Sequence, residues 1–255
     1  LKTPLRKLNN RAGSFSKVVK HLADDPTTIH FPFFVNGGLE LSLCAAENKI
    51  IGHTNHWCVY DFWQCLKDDP RRLADNIQFI VGYEHFEERF YYHMQEHFQE
   101  NVDVFVRSAQ FYALNMCNES GQIYSGKFIG TKYINEMSLF NIKNLELHNL
   151  QLNMHETEKP IEIIDKINSD EQIIITPPKF SYRLLPGAQV DTLAAPNIDH
   201  TRLHDKLQEK NKWIMVCNYH NKLSEIYNNL HIEYYDQNWR PTSKSEAKEM
   251  LIVKS

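Results

Sequence analysis

The sequence predicts an α/β protein built on a mainly parallel sheet, and a few local patterns carry that expectation. An apolar, β-rich run at 29–35 ends in Asn36-Gly37-Gly38 and gives way to a helical pattern at 39–46. Strand, glycine turn and helix in that order form the opening unit of many nucleotide-binding folds. Short strand segments then recur at 49–53, 171–175 and 212–216, the last two with unbroken apolar stretches at 173–175 and 213–216. A strand covered on both faces reads this way, without polar alternation. Between the runs at 49–53 and 171–175 lies a long, mainly helical stretch, which predicts an insertion into the sheet domain.

Each element follows from its local pattern. Residues 14–23 place apolar positions at helical spacing behind Ser14, a possible N-cap. The segment Trp57 to Leu66 sets Tyr60, Phe62, Trp63 and Leu66 near one helical face, a core pattern. Residues 71–117 read as helical with a break around Asn101-Val102-Asp103. From Asn118 to Gly130 the chain turns polar and glycine-bearing, which suits a hairpin or loop. The run at 171–175 stops at Pro177-Pro178; residues 185–200 read as a long loop, 201–210 as a helix. His231–Tyr235 and Met250–Val253 complete the sheet as a closing antiparallel pair. The domain reading is a core of 1–75 and 140–255, with 76–139 as an inserted helical and hairpin lobe.

Composition narrows the function classes. Hydrophobic residues at 42% and charged residues at 24% describe an ordinary globular chain rather than a disordered one. No apolar run approaches the roughly 20 residues of a membrane-spanning helix, and none near residue 1 resembles a secretory signal. The expectation is an intracellular protein, cytoplasmic or nuclear, without membrane contact. Five scattered cysteines with no Cys-x-x-Cys pair read as buried thiols. A net charge of −4 argues against bulk electrostatic coating of nucleic acid, although a local basic face remains open. The acidic group Glu84, Glu87, Glu88, Glu96, Glu100 and Asp103, and the basic Arg240, Lys244, Lys248 and Lys254, read as solvated surface. His93 and His97 share a helical spacing that suits a metal, but no third ligand accompanies them, and no metal site is expected.

The order of motifs resembles the Dam-type adenine-specific DNA methyltransferases. Thr3-Pro4-Leu5-Arg6-Lys7-Leu8-Asn9-Asn10-Arg11 is similar to that family's opening loop, which contacts the methyl donor. Pro32-Phe33-Phe34-Val35-Asn36-Gly37-Gly38 is similar to its glycine turn, and Gly52-His53-Thr54-Asn55 falls at its second cofactor contact. Arg107 to Asn115 with the stretch to Gly130 resembles part of its DNA-contacting lobe, and Ile173 to Lys179 sits at its Asp-Pro-Pro-Tyr. Val216-Cys217-Asn218-Tyr219, Glu225-Ile226-Tyr227 and Glu249-Met250-Leu251-Ile252 match its closing segments. The resemblance implies a Rossmann-like methyltransferase sheet with helices on both faces and an inserted, mainly helical DNA-recognition-type lobe with a hairpin. It implies DNA contacts at Arg6, Arg107, Asn118, Lys127 and Lys132.

The departures fall on the chemistry. Pro32 stands where the family places a carboxylate facing the amino group of S-adenosylmethionine, and Thr54 where a carboxylate grips the ribose hydroxyls. Losing two charged hydrogen bonds of roughly 1.5–3 kcal/mol each weakens cofactor binding by about 10² to 10⁴. Asn36 brings a Cβ into the glycine turn ahead of Gly37 and Gly38, and Arg11 stands at the opening loop's donor contact. Thr176-Pro177-Pro178-Lys179 replaces Asp-Pro-Pro-Tyr, removing the carboxylate acceptor and the ring that stacks on adenine. The resemblance therefore implies a catalytically inactive relative with no cofactor expected, acting as a DNA-binding or scaffolding subunit with duplex DNA and a partner protein. An active but diverged enzyme using S-adenosylmethionine, with Thr176 helped by Asn218 or Tyr182, is the first alternative. A protein-interaction module without DNA binding is the second.

Overall fold

The Ile-rich runs pair at the centre of one seven-stranded sheet. A computed structural model describes residues 2–6, 11–82, 86–124, 126–177 and 198–254. Its strands are β1 (Thr28–Phe31), β2 (Lys49–Thr54), β3 (Leu150–Met154), β4 (Gln172–Ile175), β5 (Trp213–Asn218), β6 (His231–Tyr235) and β7 (Glu249–Lys254). They lie in the order β3-β2-β1-β4-β5-β7-β6, the first five parallel. The last strand in the chain, β7, runs antiparallel between β5 and β6, so the expected closing pair is present. The architecture is a mixed α/β one compatible with a Rossmann-like fold.

Alternation along the strands sorts their side chains to two helical layers. Ile29, Phe31, Ile50, Ile174, Ile214 and Val216 share one apolar cluster with α2 (Gly38–Ala45), α3 (Trp57–Asp68), α4 (Pro70–Val81) and α6 (Val104–Met116). Ile173, Ile175, Met215 and Ile252 face the other way, against α8 (Pro160–Lys166), α9 (His200–Gln208) and α10 (Asn221–Ile226). Helices thus cover both faces.

Local chemistry sets the boundaries. β1 ends at Phe31 because Pro32 has no N–H for the ladder, short of the strand to Val35 that the apolar run suggests. Pro70 occupies the first turn of α4, whose cap Asp69 accepts from the Arg72 N–H at 2.9 Å. Asp103 caps α6 and produces the break expected near 101–103, after α5 (Glu88–His97) and a short 3-10 turn. The helix expected at 14–23 is divided: α1 covers only Phe15–Val18, flanked by 3-10 turns at Ala12–Ser14 and Val19–His21.

The helices from α3 to α7 (Glu136–Lys143) lie between β2 and β3 in the chain, and their apolar side chains join the cluster on the sheet rather than forming one of their own. Where the sequence suggests a hairpin, 118–130 makes a single antiparallel bridge, Asn118 to Phe128, with no strand among the described residues. Among the described residues no helix is long and apolar enough to cross a membrane.

Candidate functional site

Strand order reverses about β1, which is flanked by β2 and β4. In doubly wound sheets ligands bind outside the carboxyl ends of the strands at such a reversal. There the chain presents Pro32 after β1, Thr54 at the end of β2, Thr176-Pro177 after β4 and Asn218 at the end of β5. Pro32, Thr54, Thr176 and Pro177 are all buried. The Thr54 hydroxyl accepts the His56 N–H at 3.2 Å, so its oxygen already serves the turn into α3. Pro178, Lys179 and Tyr182 lie outside the described residues.

The glycine turn packs closely on Trp63. Gly37 has φ +74°, and a Cβ on it would meet the Trp63 ring at 2.6 Å. Trp63 is buried and donates from Nε1 to the Val35 carbonyl at 3.1 Å, wedging α3 against the turn. Gly38 follows as the first residue of α2. Asn36 has a structural use: its Nδ2 donates to the Leu5 carbonyl at 3.2 Å, and its own carbonyl accepts the Thr3 hydroxyl. The opening segment is thereby strapped across the turn, and the Asn36 Oδ1 is buried without a hydrogen-bond partner among the described residues.

Arg11 joins the carboxyl end of β5 to the start of β7. Its guanidinium donates to the Glu249 carboxylate at 2.8 Å and to Asn218 Oδ1 at 3.0 Å, while Asn218 Nδ2 donates to the other Glu249 oxygen at 2.9 Å. The three side chains form a closed ring of charge-assisted bonds. Only the Arg11 Nε is buried there without a partner among the described residues.

One further carboxylate lies outside every motif of the sequence. Glu40, on the first turn of α2, is buried, and its side chain accepts from the backbone N–H groups of Leu39 and Glu40 itself. Burial drives its pKa up to about 7, against the lowering effect of those hydrogen bonds. A lone acid within Gly-Leu-Glu-Leu-Ser-Leu-Cys-Ala was the available signal. Its carboxyl occupies helix N-terminal donors that would otherwise attract an anionic ligand.

The residues proposed for DNA contact separate into two kinds. Arg6 donates to the Met116 and Asn118 carbonyls at 3.0 and 2.9 Å and stacks on Tyr133 at 3.6 Å. Arg107 pairs with Asp61 at 2.6 Å and donates to the Asn101 carbonyl at 2.8 Å. Asn118 is buried, donating to Tyr91 and accepting from Ser120 and Gln122. Arg107 holds the start of α6, and Arg6 and Asn118 hold its end. Lys127 and Lys132 are exposed.

No protein-family model and no curated protein matches this chain.

The remaining reactive groups are quiet. All five cysteines are buried free thiols, and burial pushes Cys44, Cys117 and Cys217 up to about 12. The His93 and His97 rings lie 4.6 Å apart, and His97 also contacts Glu100 at 3.1 Å. Among the described residues no group of three or more His, Cys, Asp or Glu is placed to hold a metal.

Proposed function

We propose that the chain is a methyltransferase-like fold without methyl-transfer chemistry, acting as a non-catalytic scaffolding subunit that joins a partner protein. The reading starts from the resemblance to adenine-specific DNA methyltransferases and is supported by a sheet order that closes with an antiparallel pair. One observation carries it: the polar groups near the strand ends already have partners within the chain. Arg11 is bound by Glu249 and Asn218, and Thr54 by the His56 N–H.

S-adenosylmethionine does not fit this set. Its ammonium and sulfonium need acceptors or carboxylates, whereas the matching stations hold Pro32, a hydroxyl already accepting a bond, and a buried guanidinium. Glu40 is buried and turned onto its own helix end.

A protein partner is supported by exposed apolar side chains on two helices that pack together. Phe79 on α4 is 79% exposed, and Met137 and Phe140 on α7 are 66% and 60% exposed. An apolar surface of this kind commonly marks a contact site. Exposed Lys127 and Lys132 favour DNA contact as a second reading.

Titration calorimetry with S-adenosylmethionine tests the loss of chemistry, and no heat at about millimolar ligand, an affinity of roughly 4 kcal/mol or weaker, is expected. Saturable heat, or methyl transfer to an adenine-bearing oligonucleotide, overturns the reading. A duplex-DNA gel shift at two salt concentrations separates the alternatives: salt-sensitive binding that Lys127→Ala and Lys132→Ala weaken favours the DNA reading over the purely protein one.

A further inference from the structure

A row of three imidazoles, His30 and His53 buried and His155 half-buried, crosses the sheet on the face covered by α8. His30 Nδ1 lies 3.0 Å from His53 Nε2, and His53 Nδ1 lies 3.0 Å from His155 Nε2. His155 Nδ1 then lies 2.8 Å from Glu158 Oε2, and at the other end His30 Nε2 lies 3.4 Å from Glu171 Oε2. Strand register builds this staircase. His30 is opposite Ile51 and His53 opposite Asn153, so each ring sits two residues nearer the carboxyl edge than its neighbour's partner. Residues two apart share a face, which is why the side chains meet diagonally.

The hydrogen count is decisive. A neutral imidazole has one N–H and one lone pair. Three neutral rings therefore offer three hydrogens to four contacts, since both ends of the row face carboxylates. The 2.8 Å contact to Glu158 requires an N–H on His155 Nδ1, which orients every ring alike and leaves His30 Nε2 as a bare lone pair towards Glu171. Of the ring nitrogens in the row, that one is buried without a hydrogen-bond partner among the described residues. One added proton fills the fourth contact, and passing hydrogens along the row moves the positive charge from one end to the other without moving a ring.

We propose that Glu171, His30, His53, His155 and Glu158 form a binding site for a single exchangeable proton, shared along the row and coupling β1, β2 and β3 to pH. The inference is independent of the methyltransferase-like reading. Solvent reaches Glu171 through a cavity of about 480 Å³ at the amino ends of the strands, which it lines with Thr28, Gln172 and Lys212. At the far end Glu158 also pairs with Lys166.

The surrounding charges say where the proton resides. Burial holds His30 below its ordinary value, opposed by Glu171 and reinforced by Lys49. Burial, then the neighbouring His30 and His155, hold His53 down to about 3, so the central ring does not carry the charge alone. On α8, Glu162 and Asp165 are turned to other partners, Arg202 and Lys206. The charge therefore belongs at the two carboxylate ends. Head-to-tail contacts also suit a proton better than a metal, because the nitrogens do not converge on one point.

Histidine-ring NMR on the full chain, from acid to mildly alkaline pH, tests this. The three rings are expected to change together in one step that takes up one proton. Glu171→Gln replaces an acceptor by an amide that can donate to His30 Nε2, so it should lower the shared midpoint by about one pH unit, roughly tenfold in proton affinity. Glu171 is 41% exposed, so the variant should fold, and Glu158→Gln is expected to move the midpoint the same way from the other end. Three separate midpoints, no proton uptake, or a midpoint unmoved by both variants overturns the proposal.

Discussion

The Arg11 guanidinium and the Glu249 carboxylate, 238 residues apart, meet at 2.8 Å with side chains only 7% and 15% exposed. Asn218 bridges them, so each member has its charge or dipole answered by the other two. A buried pair of this kind adds little over a well-packed apolar substitute, because desolvation offsets the attraction. Removing one partner is another matter, since the survivor is left buried and uncompensated.

Glu249→Ala is therefore expected to destabilise the fold by about 3–5 kcal/mol, read as a lower midpoint in urea unfolding. Asn218→Ala, which leaves the ion pair in place, should cost about 1–2 kcal/mol. A loss below about 1 kcal/mol for Glu249→Ala would mean that the ring contributes no more than a surface pair.

Glu40 predicts a pH dependence with a definite sign. Its folded-state pKa of about 7 lies above the ordinary carboxyl value of 4.5. Between those values the folded state binds more protons than the unfolded one, so stability is full below the lower value and declines as pH rises through the upper. Glu40→Gln removes this decline and should stabilise the protein at mildly alkaline pH by up to about 3 kcal/mol, with little effect in acid. Melting temperatures of both proteins across that range provide the check; parallel curves would rule it out.

At the glycine turn, Gly37→Ala combines a left-handed backbone with a ring at 2.6 Å, and a loss of about 2–4 kcal/mol is expected. Gly130 has φ +78° and nothing within 4 Å of its missing Cβ. Gly130→Ala should thus cost only the backbone strain, about 1 kcal/mol. Equal losses in chemical unfolding would remove Trp63 from the explanation.

The sheet's centre was legible because its strands are covered on both faces, and Ile173-Ile174-Ile175 needs no alternation to be read. β3 was missed for the opposite reason. At the sheet's edge, Leu150-Gln151-Leu152-Asn153-Met154 is half-buried and polar at alternate positions, in a region dominated by helical patterns. The short helices α7, α8 and α10 have too few turns to establish a period. Within the site, Pro32 and Thr54 could be named from position in a motif. Arg6 and Arg107 could not be assigned from charge alone, because Asp61 and the carbonyls ending α6 reach them only in the folded chain. The histidine row depends on parallel register between segments more than 100 residues apart, which no local window contains.

β7 occupies an interior place in the sheet, with β5 on one side and β6 on the other. During synthesis, residues 213–218 emerge well before the segment that must lie beside them, so β5 waits with an open edge. A chain cut before residue 249 would leave that edge, and Arg11 without its counter-charge, uncovered.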